Sequence, residues 1–174
     1  PHQICMNIAN LTFPCFDGYA VAAAAMVGRS LGAGHPDDAE VYARSAQRQS
    51  MVFATAVMAM FLFLRYPMMH LFSEEEVVVT YGARILLMLG FSAHAMANTI
   101  IYAGALRGAG DTRFVAFFSL ISTTVVRPIL SYVLCYPMGM GLIGPWIAFM
   151  VDFYLRCALN YAHFCRGGWK HIRL

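Results

Sequence analysis

The chain has 174 residues, 60% of them hydrophobic and only 12% charged, with a formal net charge of +3. A water-soluble domain is closer to half apolar and a quarter charged, so this composition excludes an ordinary soluble globule. A single lysine, Lys170, and the lack of any dense basic cluster exclude a nucleic-acid binder and a polybasic lipid-binding segment.

The chain starts at Pro1 and enters an apolar run with no charged n-region or cleavage site, which excludes a signal peptide and is expected of a truncated sequence. Five stretches are long enough to cross about 30 Å of hydrocarbon, for which about 20 helical residues suffice. They fall at residues 4–28, 39–66, 83–106, 114–136 and 142–165. Helix is required because a lone lipid-exposed helix satisfies its own backbone and an open sheet edge does not. The fold class is therefore all-α integral membrane, a bundle of five transmembrane helices.

In chain order, the first span carries Asp17, next to Gly18 and three residues after Pro14. An ionisable group in an apolar run is costly and marks a candidate functional site. Facing an aqueous cavity, Asp17 would bind a cation or exchange a proton. The alternative is a structural hydrogen bond at the Pro/Gly break, or a place near the outer surface. Asn10-Leu11-Thr12 matches a glycosylation sequon but lies inside the span, so it is discounted. The first loop combines Arg29 with Gly28, Gly32 and Gly34, glycines expected to let the chain turn sharply and helix ends approach closely. The second helix is expected to begin in water, with Glu40, Arg44 and Arg48 on one face at a four-residue spacing. Connection 67–82 reads as a short amphipathic helix at the outer surface, started by Ser73 and three glutamates near the positive end of its dipole.

The third span places His94, Asn98 and Tyr102 on one face. His94 could change protonation in the physiological range, or these groups could simply make interhelical hydrogen bonds. A second Gly/Arg loop follows, with Arg107, Gly108, Gly110 and Asp111. Neither loop has a GK[ST] ending or a preceding strand, so neither is a phosphate-binding loop. The fourth span contains Arg127, and the fifth contains Asp152 and Arg156 one turn apart. A tight Gly/Pro turn joins these spans, and counting from it sets Arg127 and Asp152 at equal depth. A structural charge cluster of all three is the favoured reading; a latch that rearranges is the alternative. Trp146 and Trp169 lie near helix ends, as interface anchors do. Cys5, Cys15, Cys135, Cys157 and Cys165 are odd in number and form no CxxC, so they read as reduced core thiols, with no disulfide framework and no metal site. No cofactor is implied.

Charge sets the orientation. Arg29, Arg44, Arg48, Arg107, Arg113, Arg166, Lys170 and Arg173 fall on one side; the other has only Arg65 and Arg84. Positive charge marks the cytoplasmic side, so the C-terminus is expected inside and residue 1 outside. An intact protein that starts in the cytoplasm would then have an odd number of helices before Pro1.

Four segments carry a family resemblance. They are Val27-Gly28-Arg29-Ser30-Leu31-Gly32-Ala33-Gly34, Gly104-Ala105-Leu106-Arg107-Gly108-Ala109-Gly110-Asp111-Thr112-Arg113, Gly141-Leu142-Ile143-Gly144-Pro145-Trp146-Ile147-Ala148 and Gly168-Trp169-Lys170. In this order and spacing the chain resembles the multidrug and toxic compound extrusion (MATE) family. The resemblance implies a twelve-helix antiporter of two six-helix lobes in the plasma membrane, with this chain as helices eight to twelve of the C-terminal lobe and seven helices absent. It implies export of organic cations or amphipathic compounds in exchange for H⁺ or Na⁺, by alternating access. The implied partners are the small-molecule substrate, the coupling cation, membrane lipid and the missing N-terminal lobe. The sodium-coupled branch has an intramembrane Asp where this sequence has Met96, which argues against a sodium site there. A lipid-linked precursor flippase of a related superfamily is an alternative, as is a fragment inactive alone. A membrane-embedded enzyme would need a nucleophile–base pair or HExxH, and neither occurs.

Overall fold

A computed structural model of the protein describes residues 2–72, 74–137, 139 and 141–171. Helix α1 is His2–Gly32, α2 Pro36–His70, α3 Glu76–Gly108, α4 Thr112–Ile121, α5 Arg127–Cys135 and α6 Gly144–Arg166; a π-helical turn, Ser122–Val126, joins α4 to α5 without a break. Short 3₁₀ turns at Gly141–Ile143 and Gly168–His171 flank α6. Among the described residues there is no strand. Four rods, α1, α2, α3 and the continuous run Thr112–Cys135, are long and apolar enough to cross a membrane. The expected fifth span, α6, is diluted by Asp152, Arg156 and Asn160.

Helices α1, α2 and α3 are longer than the apolar runs that predicted them. At 35 residues α2 is about 52 Å long, well beyond the hydrocarbon thickness, so its ends project. Pro67 ends no helix; it sits in the last turn of α2, where the N–H it lacks costs one bond. The separate amphipathic helix expected at 67–82 is absent among the described residues, because its second half is the start of α3. Glu76 does stand in that first turn, but Ser73, the expected start, lies outside the described residues, as do Pro1 and Arg173.

The two Gly/Arg loops share one physical basis. Gly34 has φ +79° and Gly110 φ +85°. His35 N–H donates to Ser30 O (2.9 Å) and Gly34 N–H to Leu31 O (3.0 Å); Asp111 N–H donates to Leu106 O (2.9 Å) and Gly110 N–H to Arg107 O (3.1 Å). Each is a Schellman cap, closed by a left-handed residue that glycine adopts without strain. The repeated Gly-Ala-Gly is thus a helix stop used twice. Gly28 and Gly32 remain helical and take no part in the turn, but Gly28 meets the other expectation, close approach of helix ends, since a Cβ there would stand 2.9 Å from Gly108 O.

Helix α3 is the centre of the lobe. In its most apolar 18-residue window 67% is buried, against 22%, 17% and 11% for the other three rods, whose apolar outer faces remain uncovered. Leu11, Phe63 and Leu120 are each more than 60% exposed, which suits lipid or protein contact and not water. Trp146 and Trp169 are not interface anchors: they are 2% and 1% exposed, buried in the two main core clusters. Of the cysteines, Cys5 is buried, whereas Cys15 and Cys165 are exposed; all five are free thiols.

Candidate functional site

The site rests on the crossing of α1 and α3. A Cβ at Gly104 would stand 2.6 Å from Ala20 O, one at Gly108 2.2 Å from Ala24 O, and one at Gly28 2.9 Å from Gly108 O. Small residues at four-residue steps on both helices thus bring the backbones into contact, as in membrane helix pairs. Above this seam a cavity of about 330 Å³ opens, lined by Asp17, Ala20, Val21, Ala24, Gly104 and Arg107. Asp17 is exposed there.

His94 and Asn98 lie elsewhere, on the α2 side of α3. Thr55 Oγ1 is 3.0 Å from His94 Nε2 and donates to Met51 O at 2.9 Å. A hydroxyl has one hydrogen, so with Thr55 donating to Met51 the imidazole carries its proton on Nε2. Asn98 donates to His94 O (3.1 Å) and accepts from Gln47 Nε2 (3.0 Å). The structure therefore joins His94 and Asn98 in an interhelical polar ladder with Gln47 and Thr55, which the sequence reading missed. Tyr102 is not part of it. It is 5% exposed and packs on Tyr161 and Phe164 of α6, with ring centroids 5.6 and 4.9 Å away.

The charge cluster forms in altered shape. Asp152 is 0% exposed and accepts from Arg156 at one oxygen and from Ser122 Oγ at the other. Arg127 lies close enough to Asp152 to interact with it electrostatically but makes no direct ion pair with it among the described residues; its guanidinium lies over the Phe149 ring, 4.6 Å from the centroid. Ser122 opens the π turn, in which Arg127 N–H donates to Ser122 O. Pro128 accounts for the widened turn, since a proline ring clashes with the carbonyl four residues back. A cleft of about 470 Å³ lies between α1, α3, α4 and α6, with both Arg107 and Arg156 on its wall.

The end bearing the basic loops is tied together. His163 Nε2 is 2.6 Å from Asp111 Oδ2, and its ring stacks on Phe114 at 3.6 Å. Trp169 Nε1–H donates to Phe164 O (2.8 Å), and the two rings stack at 4.9 Å. Lys170 reaches back to Glu40 (2.6 Å) and Asp37 (3.5 Å), while Arg44 pairs with Glu40 (2.5 Å). Hydrogen bonds from Lys170 and then Arg44 hold the Glu40 carboxyl below its usual range, and Glu40 in turn raises the Lys170 ammonium. Arg48, expected beside these charges, is exposed and makes no ion pair among the described residues. No three His, Cys, Asp or Glu converge on a metal site among the described residues.

Long apolar helices packed through small residues, with capped basic loops at one end and an acid exposed in a cavity, define one part of a multi-pass membrane bundle. Residues 2–133 match the MatE family profile, and the chain belongs to that family. It is 30% identical over 154 residues to the multidrug resistance protein MdtK of Edwardsiella ictaluri, covering 86% of this chain and 34% of that protein. It is 25% identical to the probable multidrug resistance protein NorM of Thermotoga maritima (97% and 36% covered) and 28% identical to multidrug and toxin extrusion protein 1 of Danio rerio (97% and 28%). The crystal structure of the eukaryotic MATE transporter AtDTX14 superposes with a TM-score of 0.88 at 24% identity, over 97% of this chain and 38% of that one, and so shares the fold. The chain thus spans about a third of the length of these relatives.

Proposed function

We propose that this chain is helices eight to twelve in the C-terminal lobe of a plasma-membrane multidrug exporter, which expels organic cations and other amphipathic compounds in exchange for H⁺ or Na⁺. Alternating access would rock this lobe against the N-terminal lobe around a central cavity. Its C-terminus would face the cytoplasm, where the basic loops fall. The single observation that carries the reading is Asp17: an exposed carboxylate within an apolar run, in a cavity of about 330 Å³ that it shares with Arg107. A carboxylate there attracts a cationic solute and accepts a coupling proton. The polar ladder at His94 and Asn98 supports a structural role for those residues instead, since it ties α3 to Gln47 and Thr55 of α2. Relatives named as multidrug resistance proteins support the transport class, in which no covalent chemistry is expected.

The test is dye efflux by the full-length protein in proteoliposomes, with H⁺ and Na⁺ gradients collapsed separately. Asp17→Asn is expected to lower efflux at least about tenfold, the scale on which a lost charged contact acts, while leaving the protein folded. Undiminished efflux in Asp17→Asn would remove Asp17 from the coupling role.

A further inference from the structure

The cleft between α1, α3, α4 and α6 shares Arg107 with the Asp17 cavity but differs from it in charge balance, adding Arg156 and no carboxylate. It measures about 470 Å³, the size of a small-molecule site. No carboxylate lines it, yet two guanidinium groups do, Arg107 and Arg156. Asp152 neutralises Arg156 from behind, but Arg107 has no ion-pair partner among the described residues and spends only its Nε–H, on Ala103 O at 3.1 Å. Arg156 Nε is buried and without a hydrogen-bond partner among the described residues. The Thr112 and Ser119 hydroxyls on the same wall also have no partner among the described residues. Apart from Thr99, whose hydroxyl is bonded to Ala95 O and Phe153 O, the rest of the wall is apolar and includes Phe13 of α1 and Phe153 of α6. Arg107 and Thr112 flank the Schellman cap of α3, so the polar mouth lies at the end that carries the basic loops.

We propose that this cleft is a binding site for an amphiphilic anion. A phosphate or carboxylate head would lie against Arg107 and Arg156, within reach of Thr112 and Ser119. The apolar body would run between Phe13 and Phe153. Two guanidiniums in a partly desolvated cleft reject a cation of the same shape and hold an anion through charge-assisted bonds. A basic pocket between helices on the cytoplasmic side also fits the head group of an anionic lipid. Head group and soluble anion share one recognition chemistry, and the inference goes beyond the export reading because it requires no gradient and no transport.

Equilibrium binding to the full-length protein in nonionic detergent tests it. The probes are radiolabelled 1-naphthoate, short-chain phosphatidic acid, and the cation 1-naphthylmethylammonium as a control of similar size. Saturable binding of either anion, lost at least about tenfold in both Arg107→Gln and Ser119→Phe, is the expected result. Phosphatidic acid alone binding would mark the occupant as lipid, and naphthoate binding would mark it as a soluble anion. Arg107→Lys, which keeps the charge, is expected to retain most of the affinity and separates recognition from misfolding. Saturable binding of neither anion, equal binding of the ammonium control, or affinity unchanged in both loss variants overturns the proposal. Efflux is not measured, so this outcome is independent of the Asp17 test.

Discussion

Asp152 ties α6 to the π turn between α4 and α5. It is fully buried, and its two oxygens are divided between the Ser122 hydroxyl and the Arg156 guanidinium. Removing one partner of a buried pair strands the other charge at about 3–5 kcal/mol, whereas replacing both by apolar groups is often neutral. Asp152→Ala is therefore expected to lower the unfolding free energy by about 3–5 kcal/mol, and Asp152→Leu with Arg156→Met to recover most of it. Thermal unfolding of the purified protein in detergent reads both, and simple additivity would refute the pairing. The Asp152–Arg156 half of the cluster was legible from a four-residue spacing on one helix. Counting from the hairpin turn set the depth of Arg127 nearly correctly, over Phe149 three residues before Asp152, but not the direction in which its side chain points. A π turn inserts one residue and rotates everything after it by about 100°. Arg127 follows that turn and faces Phe149, while Ser122, at its start, takes the carboxylate. Hydroxyls carry no sequence signal for such a role, so Ser122, like Gln47 and Thr55, emerged only from the structure.

At the scale of elements, the α1–α3 crossing is set by what two glycines lack. A methyl at Gly104 or Gly108 would sit 2.6 or 2.2 Å from backbone atoms of α1, and backbone cannot turn aside as a side chain would. Overpacking of this kind costs about 1–3 kcal/mol, sometimes more. Gly104→Ala and Gly108→Ala are each expected to destabilise by at least that amount, measured by the shift in the thermal midpoint. Gly32→Ala is the contrast: nothing lies within 4 Å of its Cβ, it sits in the last turn of α1, and the change is expected to be neutral or slightly stabilising. The sequence made the small residues visible but not their task, because spacing does not reveal which glycine faces a neighbour. Gly28, Gly104 and Gly108 serve contact, and Gly34 and Gly110 serve the turn. Four of the five expected spans are helices long and apolar enough to cross a membrane, because an apolar run of bilayer length has few other uses, whereas α6 falls short of that apolarity. The helix ends were not legible, because α1, α2 and α3 continue past their apolar runs until a cap or a break in hydrogen bonding stops them.

Across the whole molecule, first and last parts of the chain meet at the basic end. The segment after α6 folds back so that Trp169 is buried against Phe164 and Lys170 bridges to Glu40 at the start of α2. Two contributions of different size are joined there. Trp169 is 1% exposed, and truncating a buried tryptophan costs about 3–5 kcal/mol. The ion pairs are partly solvated and screened, so they contribute at most about 1 kcal/mol. Their pH dependence nonetheless separates them from the packing. Folding holds the Glu40 carboxyl below its usual range, through Lys170 first and Arg44 second. Its contribution is therefore present above the unfolded-state value, about 4.3, and is lost as pH falls through the lower folded-state value. Lys170 is shifted the other way, so its contribution is present below its unfolded value, about 10.4, and is lost as pH rises through the folded one. Between these limits Glu40→Gln is expected to melt slightly below the parent, and the difference should vanish once acid has protonated Glu40 in both states. Trp169→Ala should show a deficit that is the same at pH 7 and at pH 3, because packing against Phe164 does not titrate. A Glu40→Gln deficit that persists unchanged into acid would mean that the carboxylate is not what joins the tail to α2.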